Sequence, residues 1–216
     1  MIKYCNGRRL IKALSASNDW LSSKMEVVNN LNVFPVPDGD TGFNMSLTLK
    51  AAVEATKELK NRDLSSIAKE VGTSSVMASR GCSGVILSQF LVGLAKGLEG
   101  KKRVEAKELA QALLKGAEAA YSGVREPVEG TILTVAKESA KRALEIAKEE
   151  SDIAKILREV HREAQEVLEK TPEMLPVLKD AGVVDAGGAG FVYILEGVLR
   201  LIEGNHWRRF PRLRLP

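Results

Sequence analysis

The sequence predicts an all-α protein, an antiparallel up-and-down bundle of about eight substantial helices. Apolar residues recur every three or four positions along almost the whole chain. No segment alternates apolar with polar residues in a β-branched setting, as strands do. The connections between periodic stretches are short, which favours antiparallel neighbours.

Taken in order, Leu10, Leu14, Ser17, Leu21, Met25 and Val28 mark one helix over about 9–30. Met45, Leu49, Ala52 and Leu59 mark a second over 42–59, and Ile67, Val71 and Met77 a third over 64–79, with Gly72 its weak point. The fourth, 83–97, is the most apolar and is expected to be the most buried. Further helices fit 104–121, 130–149 and 152–170. Thr171-Pro172 should end the last of these, because proline lacks the N–H and restrains its predecessor. A short helix near 173–181 and a closing one over 188–203 complete the set. Alanine-rich faces (Ala117 and Ala120; Ala136, Ala140 and Ala143) point to closely approaching helices.

Composition narrows the functional classes. Of 216 residues 44% are hydrophobic, which excludes global disorder. The net charge of +4 comes from Arg208, Arg209, Arg212 and Arg214, so residues 1–204 sum to zero and offer no basic nucleic-acid face. Residues 205–216 read as a basic tail, disordered or the start of a linker. Cys5 and Cys82 form neither a disulfide framework nor a zinc motif. Without a signal core or a membrane-spanning run, the expectation is a soluble cytoplasmic protein.

Three connections are chemically unusual. In Asn32–Asn44 two alternate prolines stiffen an Asp38-Gly39-Asp40 turn just before a helix. Two carboxylates held together repel unless a cation lies between them, and one or two carboxylates completed by phosphate oxygens and water is the usual Mg²⁺ arrangement. Helix capping by Asp40 or Thr41 is the alternative; an EF-hand is excluded, since position 6 would be Phe43 and position 12 Leu49. The second, Ser79–Gly84, offers free amides at a helix start to an anion, or else capping by Ser83, with Cys82 either an acidified thiol or a small filler. The third, Asp185–Gly190, permits close approach of a ligand or of a neighbouring helix and is not a dinucleotide fingerprint. No Walker-type loop occurs, and His161, read as lying on a solvated face, and His206 support no catalytic triad.

The motifs NVFPVPDGDTGFNM (32–45), RGCSGVILSQ (80–89), PVEGTILTV (127–135) and DAGGAG (185–190) closely resemble the N-terminal nucleotide-binding domain of bacterial fatty acid kinase. That domain is itself similar to the L subunit of dihydroxyacetone kinase. The likeness covers residues 1–204. It implies an eight-helix antiparallel barrel that binds ATP or ADP at one rim through two Mg²⁺ ions. By motif position Asp38 and Asp40 correspond to metal ligands, and Asn32 is the remaining candidate, where glycerone-type relatives carry a third aspartate one residue out of step. Thr41, Gly42, Phe43, Asn44, Cys82, Ser83 and Gly84 correspond to phosphate contacts. Gly123, Thr131, Ile132, Asp185, Ala186 and Gly187 correspond to the nucleoside end. Glycerone-type relatives have histidine where Thr41 stands, which favours the fatty acid kinase branch; within that branch, Phe43 and Cys82 replace an expected Thr and Asn.

The resemblance further implies γ-phosphoryl transfer to a fatty acid carboxylate presented by a separate fatty-acid-binding protein. It implies further kinase domains that make this chain incomplete by itself, and is compatible with a homodimer. A glycerone kinase L-type subunit and a non-catalytic helical interaction module are the alternatives.

Overall fold

The computed structural model describes residues 1–204, so the tail expected at 205–216 and His206 lie outside the described residues. Ten α-helices follow one another: α1 (Gly7–Ser23), α2 (Met25–Asn30), α3 (Thr41–Ala55), α4 (Leu64–Ala78), α5 (Gly81–Gly97), α6 (Ala106–Ser122), α7 (Ile132–Ile146), α8 (Ile153–Met174), α9 (Pro176–Ala181) and α10 (Ala186–Ile202). Among the described residues eight helices are long and two, α2 and α9, have six residues each.

The all-α expectation holds, with three local corrections. The helix expected over 9–30 is broken at Lys24, where the Ser23 hydroxyl donates to the Trp20 carbonyl and competes with the backbone ladder. A two-residue antiparallel ladder pairs β1 (Cys5–Asn6) with β2 (Arg103–Val104), too short for any alternation to announce it. Pro172 does not end its helix but lies inside α8. The carbonyl it leaves without an N–H, that of Leu168, accepts instead from the Thr171 hydroxyl at 2.7 Å.

Each long helix packs on the next in sequence, and α10 returns to pack on α1, so the neighbours close into a ring. Directions alternate. The starts of α1, α4, α6 and α8 meet at one rim: Gly7 abuts the Arg62 carbonyl, β1 pairs with β2, and the Ile153 amide donates to the Ile2 carbonyl at 2.9 Å. The starts of α3, α5, α7 and α10 meet at the other.

Apolar faces fill the interior, with Leu21, Met45, Leu49, Leu87, Leu133 and Leu168 fully buried and Phe90 set edge-on to Phe191 at 5.1 Å. Truncating any one of these leucines to alanine costs about 2–5 kcal/mol. Close approach of α5 and α6 depends on absent side chains, since a Cβ at Gly97 would fall 2.5 Å from the Ala112 Cα. No described helix is long and apolar enough to cross a membrane.

Candidate functional site

An up-and-down ring necessarily collects alternate helix N-termini at one rim, and here they surround a cleft. Its lining includes Thr41 from the start of α3, Gly81, Cys82 and Ser83 from α5, Thr131, Ile132 and Leu133 from α7, and Asp185 and Gly187 from α10. The cleft measures about 290 Å³ and is completed by the 32–40 loop and by Val124, Glu126 and Val128 of the α6–α7 loop. Each helix start presents the positive end of a dipole, so four of them aimed at one space favour an anion there.

The 32–40 loop closes on itself through Asn32. Its Nδ2 donates to the Val36 carbonyl at 3.0 Å, and its Oδ1 accepts from the Asp40 amide at 3.3 Å. The Phe34–Pro35 bond is cis. The Asn32 bonds hold the loop with Asp38 and Asp40 lining the cleft, where neither carboxylate forms a hydrogen bond or ion pair among the described residues. Asp40 sits at the N-cap of α3 yet makes no side-chain cap. The cap comes from α2, whose Asn29 Oδ1 accepts from the amides of Gly42 at 2.8 Å and Phe43 at 3.2 Å.

Across the cleft α5 has Arg80 as N-cap, which makes no side-chain cap, and among the described residues none outside the helix bonds the amides of Cys82 or Ser83. The Ser83 hydroxyl reaches the Thr41 carbonyl at 3.4 Å, joining the starts of α5 and α3. Cys82 is exposed to the cleft and is no filler. Partial desolvation, and after it the Asp185 carboxylate, push its thiol up, so the acidified thiol expected on an outward-facing side chain does not arise.

Asp185 caps α10, its Oδ2 accepting from the Gly188 amide at 2.7 Å. Burial drives its carboxyl up to about 6, although amides of Gly188 and Ile132 oppose the rise. Its own amide donates to the Thr171 hydroxyl at 3.1 Å, the same hydroxyl that replaces the missing Pro172 N–H.

Of the sequence-predicted residues, Asn32, Asp38, Asp40, Thr41, Cys82, Ser83, Thr131, Ile132, Asp185 and Gly187 line the cleft. Gly42, Phe43, Asn44, Gly84, Gly123 and Ala186 do not. Gly42 lies against α2, where a Cβ would fall 2.4 Å from the Met25 carbonyl oxygen. Phe43 faces solvent, Asn44 is buried beside Gly81, and Gly84 packs on Thr48. Gly123 packs on Gln89, and Ala186 is buried at the head of α10. Sequence reasoning missed Asn29, Val124, Glu126 and Val128; the only signal for Asn29 was an amide side chain at a helix end, and its partners lie 13 and 14 positions on.

His161 is a correction. It is 6% exposed, its Nε2 has no partner among the described residues, and burial holds it below the usual histidine range against the pull of Glu196 and Glu203. It does not line the cleft. A second, apolar cavity of about 370 Å³, lined in part by Leu10, Leu87, Phe90 and Phe191, takes in none of the predicted site residues.

The family model described as the DAK2 domain matches residues 35–200. The chain belongs to the DAK2 domain family. Its cleft-lining residues from Pro35 to Gly187 fall within the matched span. Protein YloV of Bacillus subtilis (strain 168) is 43% identical over 204 residues, which cover 94% of this chain and 37% of that protein. A Staphylococcus aureus (strain USA300) protein described as uncharacterized is 40% identical over 205 residues, 95% of this chain and 37% of its own length. This DAK2 domain therefore spans little more than a third of the curated relatives it matches.

Proposed function

We propose that this domain binds Mg·ATP in the cleft and serves transfer of the γ-phosphoryl group to a fatty acid carboxylate, presented by a separate fatty-acid-binding protein, to form an acyl phosphate in the cytoplasm. One observation carries the reading: among the described residues the cleft is lined by Asp38, Asp40, Glu126 and Asp185 and by no lysine, arginine or histidine. A polyphosphate entering there meets helix N-termini but also four acidic side chains, so a divalent cation must accompany it.

The donor set suits Mg²⁺. Asp38 and Asp40 are hard oxygen donors without partners among the described residues, where no group of three His, Cys, Asp or Glu suited to holding a metal occurs. Two carboxylates therefore leave coordination positions for phosphate oxygens and water. When bound, the metal would neutralise phosphate charge and align the γ-phosphoryl group. Asn32 fixes the loop that carries both carboxylates. The open amides of Cys82 and Ser83 bind phosphate oxygens. Ile86, Val124, Ile132 and Leu133 give the nucleoside an apolar seat and exclude water.

A fatty acid carboxylate is already ionised near neutral pH, its pKa lying near the ~4.3 of Glu, so the acceptor needs no general base. The distance of His161 from the cleft lining is then no obstacle. On this reading the complete kinase includes further domains, consistent with the greater length of the relatives. A glycerone kinase L-type subunit is the second reading, favoured by the family itself and disfavoured by Thr41, where those enzymes resemble one another in carrying histidine.

Thermal unfolding with ADP, with and without Mg²⁺, tests the proposal. Mg·ADP at a hundred times its Kd should stabilise the domain by about 2.7 kcal/mol, and chelation of the metal should abolish the shift. An equal shift in excess chelator would exclude the metal-dependent cleft.

A further inference from the structure

The α6–α7 loop that walls the nucleoside end is held from behind. Glu129 points away from the cleft. Its Oε1 accepts from the Tyr121 hydroxyl at 2.9 Å and lies 3.6 Å from the Lys137 ammonium, and its Oε2 accepts from the Thr134 hydroxyl at 2.5 Å. Tyr121 belongs to the last turn of α6 and Thr134 to the first turn of α7, so one carboxylate ties the two helix ends that bracket the loop. Lys137 also lies over the Tyr121 ring, 4.8 Å from its centre.

The backbone beside Glu129 is fixed as well. The Gly130 amide donates to the Thr134 hydroxyl at 2.9 Å, and the Thr131 hydroxyl donates to the Val128 carbonyl at 2.8 Å. Gly130 has φ +81°, and a Cβ there would fall 2.8 Å from the Met174 Cβ. The loop is thereby pressed on the end of α8, the same turn whose Thr171 hydroxyl holds the Asp185 amide.

We propose that Glu129 is a positioning residue: by clamping Tyr121 to Thr134 it sets the wall formed by Val124, Val128, Thr131 and Ile132 at the spacing a nucleoside requires. This rests on the nucleotide reading of the cleft. The clamp acts on the nucleoside end alone, since the Asp38–Asp40 loop and the start of α5 are built by other contacts.

Calorimetry on the whole chain tests it with two probes, Mg·ADP and Mg·pyrophosphate. Glu129→Ala should weaken Mg·ADP about tenfold, the range spanned by losing charge-assisted hydrogen bonds, and leave Mg·pyrophosphate unchanged. Because Glu129 is exposed, the melting temperature without ligand should move by less than about 3 °C. Glu129→Gln, which keeps an acceptor oxygen, should retain Mg·ADP affinity within about threefold. Unchanged Mg·ADP binding by Glu129→Ala, or equal weakening of both probes, overturns the positioning role. Absence of Mg·ADP binding by the unaltered protein instead overturns the nucleotide reading beneath it.

Discussion

The two rims of the ring do the same structural job by different means. At the rim away from the cleft every long helix start is closed by its own side chains: Asn6 accepts from the Arg9 amide, Asp63 from Ser66 and Asp152 from Ala154, and Glu105 with Glu108 forms a capping box. At the cleft rim α7 and α10 are capped by Thr131 and Asp185, but α3 and α5 are not capped by Asp40 or Arg80. A helix start left open forgoes about 0.5–2 kcal/mol. The start of α3 is capped instead by Asn29 of α2, which leaves the start of α5 open across the cleft from two carboxylates without partners among the described residues, so the rim that gives up local stability is the one equipped for a ligand. The same contrast separates the capping aspartates. Asp63 and Asp152 are held below the usual carboxylate range, first of all by the amides of Ser66 and Ile2, whereas burial lifts Asp185 to about 6.

The largest effect should come from Asp40→Ala. Removing one of the two cleft carboxylates proposed to hold Mg²⁺ should weaken Mg·ADP by about 2–5 kcal/mol in calorimetry, while the unliganded protein melts no lower, because the Asp40 side chain makes no cap. A large fall in unliganded stability would break the contrast between the rims.

Next in size is Asp185→Asn. Its folded-state value of about 6 lies above the ordinary 3.8. The native state therefore binds the proton more tightly, and the stability this contributes is complete below pH ~3.8 and lost as pH rises through ~6. Asparagine caps equally well without ionising, so thermal melts at pH 7 should show a gain of about 1–3 kcal/mol, with the loss between pH 4 and 6 removed.

The smallest is Asp152→Ala, at about 1–2 kcal/mol near neutral pH with no change in nucleotide affinity. Here the sign reverses. The depressed value makes the contribution present above pH ~3.8 and lost as pH falls through the folded-state value. The variant and the parent should converge in acid, and a nucleotide defect would show that the far rim is not independent of the cleft.

Helix existence was legible because apolar spacing is a local property: all eight long helices lie where the periodicity puts them, within a few residues. The misses are of one kind. Lys24, Pro172 and His161 were each judged from neighbours in sequence, and each was decided by a partner or a burial that the sequence neighbours do not reveal. The candidate site was legible as three loops, since Pro-braced carboxylates and small-residue helix starts are compositional signals. Which motif residues turn toward the cleft was not. Phe43 and Asn44 belong to the same helical turn as Thr41, yet the turn carries Phe43 to solvent and Asn44 to the α5 interface. Asn29 and Glu129 were invisible for a related reason: Asn29 lies outside every motif, Glu129 lies within PVEGTILTV but was given no role there, and both act by holding others.

By itself the sequence determined the class, the number of long helices and the loops that carry chemistry, because hydrophobic period, proline and glycine act within a turn or two of chain. Only the tertiary structure decided that four helix starts share one rim, that Asn29 caps one of them from α2 while that of α5 stays open, and that Asp185 is desolvated. Those are consequences of ring closure, which joins residues more than a hundred positions apart, and a dipole or a carboxylate acquires its effect from what surrounds it in space.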